Sequence, residues 1–281
     1  LRVDERMILV NGIHVKPSIF PDGTSQMWHL PEALIKARTC AVTWYFEAER
    51  EIIDLLSLKA LLPCRWVLHI PYFPYARQDK EVNNDSTFNR SIILRLIRTL
   101  EPTVLTTIDI HSPIDDIHSP VDRYNSSYLD IDFVNKIINV EVSDFHQWVI
   151  DQFQPNYLVF PDKGAKDRYP YLDSHKCIVF EFEKARNQST GQLMSHQLTR
   201  DVFLPQGKYL MVDDLCDGGA TFISIAQQIK DKVPDAQIGL AVTHGLFTKG
   251  KEILTEAGIQ LFYTDTLLRN KEAPDTEMFR V

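Results

Sequence analysis

Lys208–Ile229 reads KYLMVDDLCDGGATFISIAQQI. The apolar run Tyr209–Val212 closes on two adjacent carboxylates, Asp213 and Asp214, and a turn containing Asp217, Gly218 and Gly219 leads into a helical pattern from Ala220 and Thr221. A short apolar run bounded by turn residues is the pattern of a strand buried in a parallel sheet. The glycines let backbone N–H groups converge and leave room for a phosphate. The start of the helix adds partial positive charge, and Thr221 offers a hydroxyl. The aspartates would repel a bare phosphate. They suit ribose hydroxyls, or magnesium held directly or through water. A glycine turn with two solvated aspartates is the plain alternative for this stretch taken alone. Neither G-x-G-x-x-G nor a lysine-bearing phosphate loop is present.

Working outward, the chain alternates β-rich runs with longer helical patterns. RMILVNG, CAVTWYF, the start of RWVLHIPYFPYA, and TVLTTIDIH read as strands. EREIIDLLSLKALLP and STFNRSIILRLIRTLEP read as helices, stopped by Pro63 and Pro102, the second with Ser86 or Thr87 as its cap. A second cycle follows: helix SDFHQWVIDQFQP, strands NYLVFPDKG, CIVFEFEKARNQ and KYLMVDD, helix ATFISIAQQIKDKVP, strand AQIGLAVTHG, helix TKGKEILTEAG and strand IQLFYTDTLL. Strands alternating with helices predict an α/β fold with mainly parallel sheets flanked by helices on both faces. The expected boundary lies near Val140, giving domains 1–139 and 140–281.

The 281 residues suffice for two ordinary domains, and 44% hydrophobic content supports a substantial core. With 38 acidic against 30 basic side chains, a formal charge of -8 argues against a general nucleic-acid or membrane-surface partner. Cys40, Cys64, Cys177 and Cys216 are scattered and form no Cys-x-x-Cys pair, which predicts free thiols in a reducing compartment. No apolar run spans a membrane and the opening carries no signal-peptide pattern, so a cytoplasmic protein is expected.

Ligands of parallel α/β sheets bind beyond the carboxyl ends of the strands. Polar clusters fall at several such ends: Arg77-Gln78-Asp79, Asp109-x-His111, Asp162-x-Gly164, Lys184-x-Arg186, Asp213-Asp214 and Thr243-His244-Gly245. Their coincidence is more informative than any one of them.

Here the residues resemble a known family. VDDLCDGGAT is similar to the phosphoribosyl-diphosphate loop of the type I phosphoribosyltransferase fold. IPYFPYARQDK (Ile70–Lys80) resembles the ATP-site signature of ribose-phosphate pyrophosphokinases, TIDIHS their Asp-x-His magnesium segment, and FPDKGAKDR their Pro-Asp-x-Gly-Gly stretch. FEKARNQ resembles the start of their mobile catalytic loop, and THGLFTKG and YTDTL their closing landmarks. The order agrees from about Phe20 to Leu267. The resemblance implies two similar phosphoribosyltransferase-like domains with the site between them. The first would hold ATP; the second would hold ribose 5-phosphate, with its last residues packing back on the first.

It also implies transfer of the β,γ-diphosphoryl group of ATP to O1 of ribose 5-phosphate, with Mg2+, in a homo-oligomer. Phe20, Asp22, Arg77, Gln78, Asp79 and His111 would bind ATP. Asp213, Asp214, Asp217, Gly218, Gly219, Ala220 and Thr221 would bind ribose 5-phosphate. His111 and Asp162 would be metal ligands, although magnesium prefers oxygen and would take most of its shell from phosphates and water. Lys184 and Arg186, with Arg77, would be catalytic, screening the reacting phosphates. His244 reads as buried and structural, and Cys216 as a small residue rather than a nucleophile.

Departures from the family pattern bear on the site. Thr24 stands where the family has a carboxylate near adenine, Gly218 where it has a hydroxyl, and Ala165 at its second glycine position. Only 19 residues precede Phe20, so the first domain is expected to be shortened at its start. A non-catalytic regulatory protein of the same fold is the alternative these departures leave open. A phosphoribosyltransferase consuming the diphosphate is a further one, opposed by the ATP-site signature.

Overall fold

A computed structural model of the chain describes residues 8–78, 87–112, 131–175, 177–186, 193–198, 204–267 and 278–281. The chain forms two compact units: the first runs to Glu141 and also takes in Thr266 and Leu267, and the second comprises Val142–Asp265 with residues 278–281.

In the first unit, β1 (Ile8–Val10) and β2 (Ile13–Val15) form a hairpin around Asn11 and Gly12, whose φ values are 51° and 78°. Two positive φ angles are what a two-residue hairpin turn needs, and Asn-Gly is its preferred sequence. A single strand was expected here; the turn lies within its final Asn-Gly. A small hairpin of β3 (Ser18–Ile19) and β4 (Ser25–Gln26) follows, then α1 (Glu32–Ile35) and β5 (Thr39–Trp44). The βαβ rhythm continues with α2 (Glu51–Leu61), β6 (Arg65–Ile70), α3 (Asn89–Arg98), β7 (Pro102–Ile108), α4 (Ile131–Val134) and β8 (Ile137–Val140). The sheet order is β2-β1-β5-β6-β7-β8, parallel from β5 to β8 and antiparallel at β1 and β2.

Leu55 and Leu58 of α2 and Ile93, Leu94 and Ile97 of α3 share a core with Cys40, Val42, Trp44, Trp66, Leu68 and Ile70. Those strand residues alternate with exposed or half-buried ones. The prediction of strands covered on both faces therefore fails for β5 and β6 among the described residues: Val67 on the other face is 38% exposed. The α3 cap also differs. Phe88 precedes the helix with no side-chain cap, and Ser86 lies outside the described residues.

The second unit runs α5 (Ser143–Phe153), β9 (Tyr157–Phe160), α6 (Lys163–Arg168), a 3₁₀ turn (Pro170–Ser174), β10 (Ile178–Arg186) and β11 (Leu193–Leu198). It continues with β12 (Lys208–Cys216), α7 (Ala220–Lys232), β13 (Gln237–Gly245), α8 (Glu252–Glu256), β14 (Ile259–Thr264) and β15 (Met278–Phe279). The order is β11-β10-β9-β12-β13-β14-β15. All neighbours are parallel except β10 and β11. Here burial on both faces holds: β9 is buried throughout, and Tyr209–Val212 of β12 are likewise buried. Phe222, Ile225, Ala226 and Ile229, spaced along one stripe of α7, cover this sheet.

One feature differs from the sequence reading. The segment expected to begin a mobile loop continues β10 as far as Arg186, with Lys184 opposite His196 of β11, because Phe180-Glu181-Phe182-Glu183 keeps a strand's alternation. Met278–Phe279 pair in parallel with Tyr263–Thr264, and Phe279 lies against Phe145 and Trp148 within the second unit. No helix among the described residues is long and apolar enough to cross a membrane.

Candidate functional site

In the first unit, the loops after β6 and β7 lie side by side, because the strands are parallel neighbours. The Ile108 N–H donates to the Pro71 carbonyl at 3.2 Å across them. Pro71, Phe73, Pro74 and Ala76 are buried, which anchors the loop and turns Arg77 and Gln78 outward. Tyr75 has φ 59°, and the Gln78 N–H closes on the Tyr75 carbonyl at 2.9 Å. A bulky residue held in left-handed backbone by its packing is a mark of local strain. The Tyr75 hydroxyl donates to Glu49, and burial followed by that carboxylate pushes its pKa up to about 12.

Asp109 follows β7 with φ 42° and is buried. The Ile110 N–H donates to Asn139 at 3.0 Å, and buried Arg90 donates to the Ser112 carbonyl at 3.1 Å, on either side of His111. Arg90 was not singled out from sequence; an arginine amid the apolar pattern of α3 was its only signal. Asp79 lies outside the described residues.

At the small hairpin, Asp22 accepts the Thr24 N–H at 3.0 Å and its hydroxyl at 2.7 Å. The Thr24 hydroxyl comes first among the causes that lower the Asp22 pKa. Thr24 therefore spends its hydroxyl on its own turn. Phe20 is exposed, its ring edge-on to exposed Trp28 at 6.1 Å.

In the second unit, β9, β12 and β13 are adjacent and parallel, so the loops bearing Asp162, Asp213–Thr221 and Thr248 gather at one end. Gly219, with φ 75°, precedes the 13-residue α7. Asp162 caps α6, accepting the Ala165 N–H at 3.0 Å. Ala165 is buried and its small side chain is accommodated there. Asp214 is buried and meets Arg168 at 3.5 Å; its own N–H donates to Asp213 at 2.9 Å. Arg168 was part of the quoted FPDKGAKDR stretch but had no role assigned.

The Asp213 carboxyl is held well above the usual carboxylate range, first by desolvation, then by Asp214 beside it, with Asp162 adding to the effect. A divalent cation would relieve that repulsion, and magnesium prefers such oxygen donors. Among the described residues no group of three His, Cys, Asp or Glu is arranged to hold a metal ion. The residues therefore fit a magnesium whose shell is completed by phosphate oxygens and water. Cys216 is buried and its pKa is pushed up to about 12, by desolvation and then by Asp213 and Asp217; it is unsuited to act as a nucleophile. His244 is buried within β13. The backbones of Lys184 and Arg186 lie on β10, beside the Asp162 strand.

Fold and turn together define an α/β protein in which a glycine turn joins a buried parallel strand to a helix. No protein-family model matches the chain. It is 24% identical over 278 residues to the ribose-phosphate pyrophosphokinase of Sulfolobus acidocaldarius, covering 94% of this chain and 89% of the relative. It is 24% identical over 265 residues to that of Thermococcus kodakarensis, covering 91% and 86%. The crystal structure of phosphoribosylpyrophosphate synthetase from Mycobacterium smegmatis superposes with TM-score 0.71 at 18% identity, covering 95% of this chain and 85% of that one. The chain thus has the synthetase fold, and its similarity to curated ribose-phosphate pyrophosphokinases runs over most of its length.

Proposed function

We propose that the chain is a ribose-phosphate diphosphokinase, converting ATP and ribose 5-phosphate to AMP and 5-phosphoribosyl 1-diphosphate. The observation that carries this reading is the turn after β12. A buried strand carries Asp213 and Asp214 among its last residues and ends at Cys216, rather than at the aspartates as the sequence suggested, and left-handed Gly219 opens the N-terminus of α7. The amides of Asp217–Thr221 and the Thr221 hydroxyl bind the 5-phosphate, while Asp213 and Asp214 accept from the ribose hydroxyls. Arg77, Gln78, Asp79 and His111 line ATP, with Phe20 against the adenine and Asp22 beside it. Because Thr24 is engaged with Asp22, adenine recognition here relies on Phe20 and on the remaining acceptor capacity of the Asp22 carboxylate.

The ribose O1 attacks the β-phosphorus, the bond from that phosphorus to the α-phosphate bridging oxygen breaks, and AMP leaves. Lys184, Arg186 and Arg77 offset the charge that develops on the phosphoryl oxygens. Asp162 and His111 are the residues that would hold magnesium, which would supply further charge neutralisation to the diphosphate. Free thiols and a nucleotide substrate support a cytoplasmic protein whose partners are these small molecules rather than nucleic acid or membrane. The exposed Phe20–Trp28 pair favours a homo-oligomer.

Incubation with ATP, ribose 5-phosphate and Mg2+ is expected to yield AMP and phosphoribosyl diphosphate in equal amounts. Lys184→Ala should lower kcat by about 100-fold or more with little change in substrate binding. Absence of AMP from the folded, ATP-binding protein would rule the activity out.

A further inference from the structure

We propose that Lys249 is a binding residue of the phosphate subsite, supplying a cation to the acidic turn Asp213–Thr221. The inference rests on that turn being the seat of the 5-phosphate.

The segment after β13 is built to hold Lys249 there. The Leu246 and Phe247 N–H groups donate to the Cys216 carbonyl at 2.9 and 3.2 Å. Phe247 sets its ring edge-on to Tyr263 at 5.3 Å, and a Cβ on Gly245 would collide with the Phe247 ring. Gly250, with φ 86°, donates its N–H to the Phe247 carbonyl at 2.8 Å and closes a turn whose tip is Thr248 and Lys249. Two bonds fasten this tip to the phosphate turn. The Thr248 N–H donates to the Asp217 carbonyl at 3.2 Å, and its hydroxyl donates to the Asp217 carboxylate at 2.6 Å.

The Lys249 stem then runs along Gly218. Its Cγ, Cδ and Cε lie 3.7, 3.5 and 3.4 Å from where a Gly218 Cβ would stand. Lys249 is exposed, and among the described residues no hydrogen bond or ion pair engages its ammonium group. Electrostatics give it a task. Asp213, Asp214 and Asp217 crowd this turn, and Arg168 is drawn to Asp214. A helix N-terminus offers only about half a unit charge to a phosphate dianion. An ammonium at the turn adds a whole one, in the space left by the hydroxyl-free position 218.

Calorimetric titration of ribose 5-phosphate, and separately of ATP, into the full chain and its Lys249→Met and Lys249→Arg variants tests this. Lys249→Met keeps the stem and removes the charge. It should weaken ribose 5-phosphate binding about tenfold, with ATP affinity within about twofold and an unchanged melting temperature. Lys249→Arg should retain most of the affinity. In steady state the KM for ribose 5-phosphate should rise with kcat nearly constant. Parental affinity in Lys249→Met, in a protein that still forms AMP, would overturn the role of Lys249 alone. If the folded, ATP-binding parent takes up no ribose 5-phosphate, the reading of the turn falls as well.

Discussion

Arg168 of α6 reaches Asp214 of β12, Nη1 to Oδ2 at 3.5 Å, with the two side chains only 16% and 3% exposed. The contact joins the helix that Asp162 caps to the strand end that carries the ribose candidates. Removing one member of such a pair strands the other charge in a poor solvent. Arg168→Met should therefore destabilise the protein by about 3 kcal/mol, read from denaturant unfolding. Arg168→Met with Asp214→Asn should recover much of the loss, because no unpaired carboxylate remains. A single variant as stable as the parent would show that the pair carries no weight.

Glu51 is fully buried and accepts from the Trp44 indole at 2.9 Å and the Glu47 N–H at 3.0 Å. Desolvation raises its pKa despite these bonds. The sign of the pH effect follows. The unfolded chain releases this proton first, so the contribution of Glu51 to stability declines as pH climbs from about 4.5 through the folded value, and is flat above it. Glu51→Gln keeps an acceptor and removes the titration. It should match or exceed the parent at pH 7 and show a flatter stability profile across that window. Glu51→Ala leaves the buried Trp44 indole and the part-buried Glu47 N–H without their acceptor and should cost about 2–3 kcal/mol. Thermal melts at a series of pH values separate the two outcomes.

Cys40 and Cys64 stand with their sulfurs 3.3 Å apart, and Lys59 donates to the Cys64 carbonyl at 2.9 Å beside them. Cys40 is buried, Cys64 half-exposed. A thiol oxidant such as diamide should join this pair and leave Cys177 and Cys216 as free thiols, alkylated once the protein is unfolded. The bond would tether the amino-terminal ends of β5 and β6, away from the loops bearing Arg77 and His111. The melting temperature should rise by roughly 5 °C, reversed by dithiothreitol and absent in Cys64→Ser. Peptide mapping without reduction is the check, and a cross-link elsewhere would contradict it.

What the sequence disclosed follows the strength of each local signal. The second unit was legible because β9 and the Tyr209–Val212 part of β12 are uninterrupted apolar runs, and the stripe Phe222, Ile225, Ala226 and Ile229 matches one face of a helix. The turn at Gly219 was legible because a glycine between an acidic strand end and a helix has few other uses. The β1–β2 hairpin was hidden inside a run read as one strand, although Asn11-Gly12 signals it. The continuation of β10 through Lys184 was masked by its charged residues, which suit an edge hairpin as well as a loop. Arg168 and Lys249 could not be assigned, since neither belongs to a local pattern. Each gains its place from a contact with a strand end distant in sequence, which only the parallel register of β9, β12 and β13 creates.

Gly219 is where backbone and packing constrain the candidate site together. Its φ is 75°, and a Cβ there would lie 3.0 Å from Leu254 Cδ2 and 3.3 Å from Cγ. Leu254 is itself buried in the core of the second unit and cannot retreat without leaving a gap. Gly219→Ala should thus carry two costs, about 1 kcal/mol for left-handed backbone and a further 1–2 kcal/mol for overpacking. A double-mutant cycle separates them. Leu254→Ala alone opens a cavity and destabilises by about 2–4 kcal/mol. In that background the extra methyl at position 219 has room, so the added penalty should fall to the backbone cost alone. Ribose 5-phosphate affinity supplies the second axis: if the amides of this turn hold the phosphate through left-handed backbone, binding stays impaired in the double variant even though packing has been relieved. Full recovery of binding with Leu254→Ala would instead place the defect in the packing and leave the turn's conformation irrelevant to the ligand.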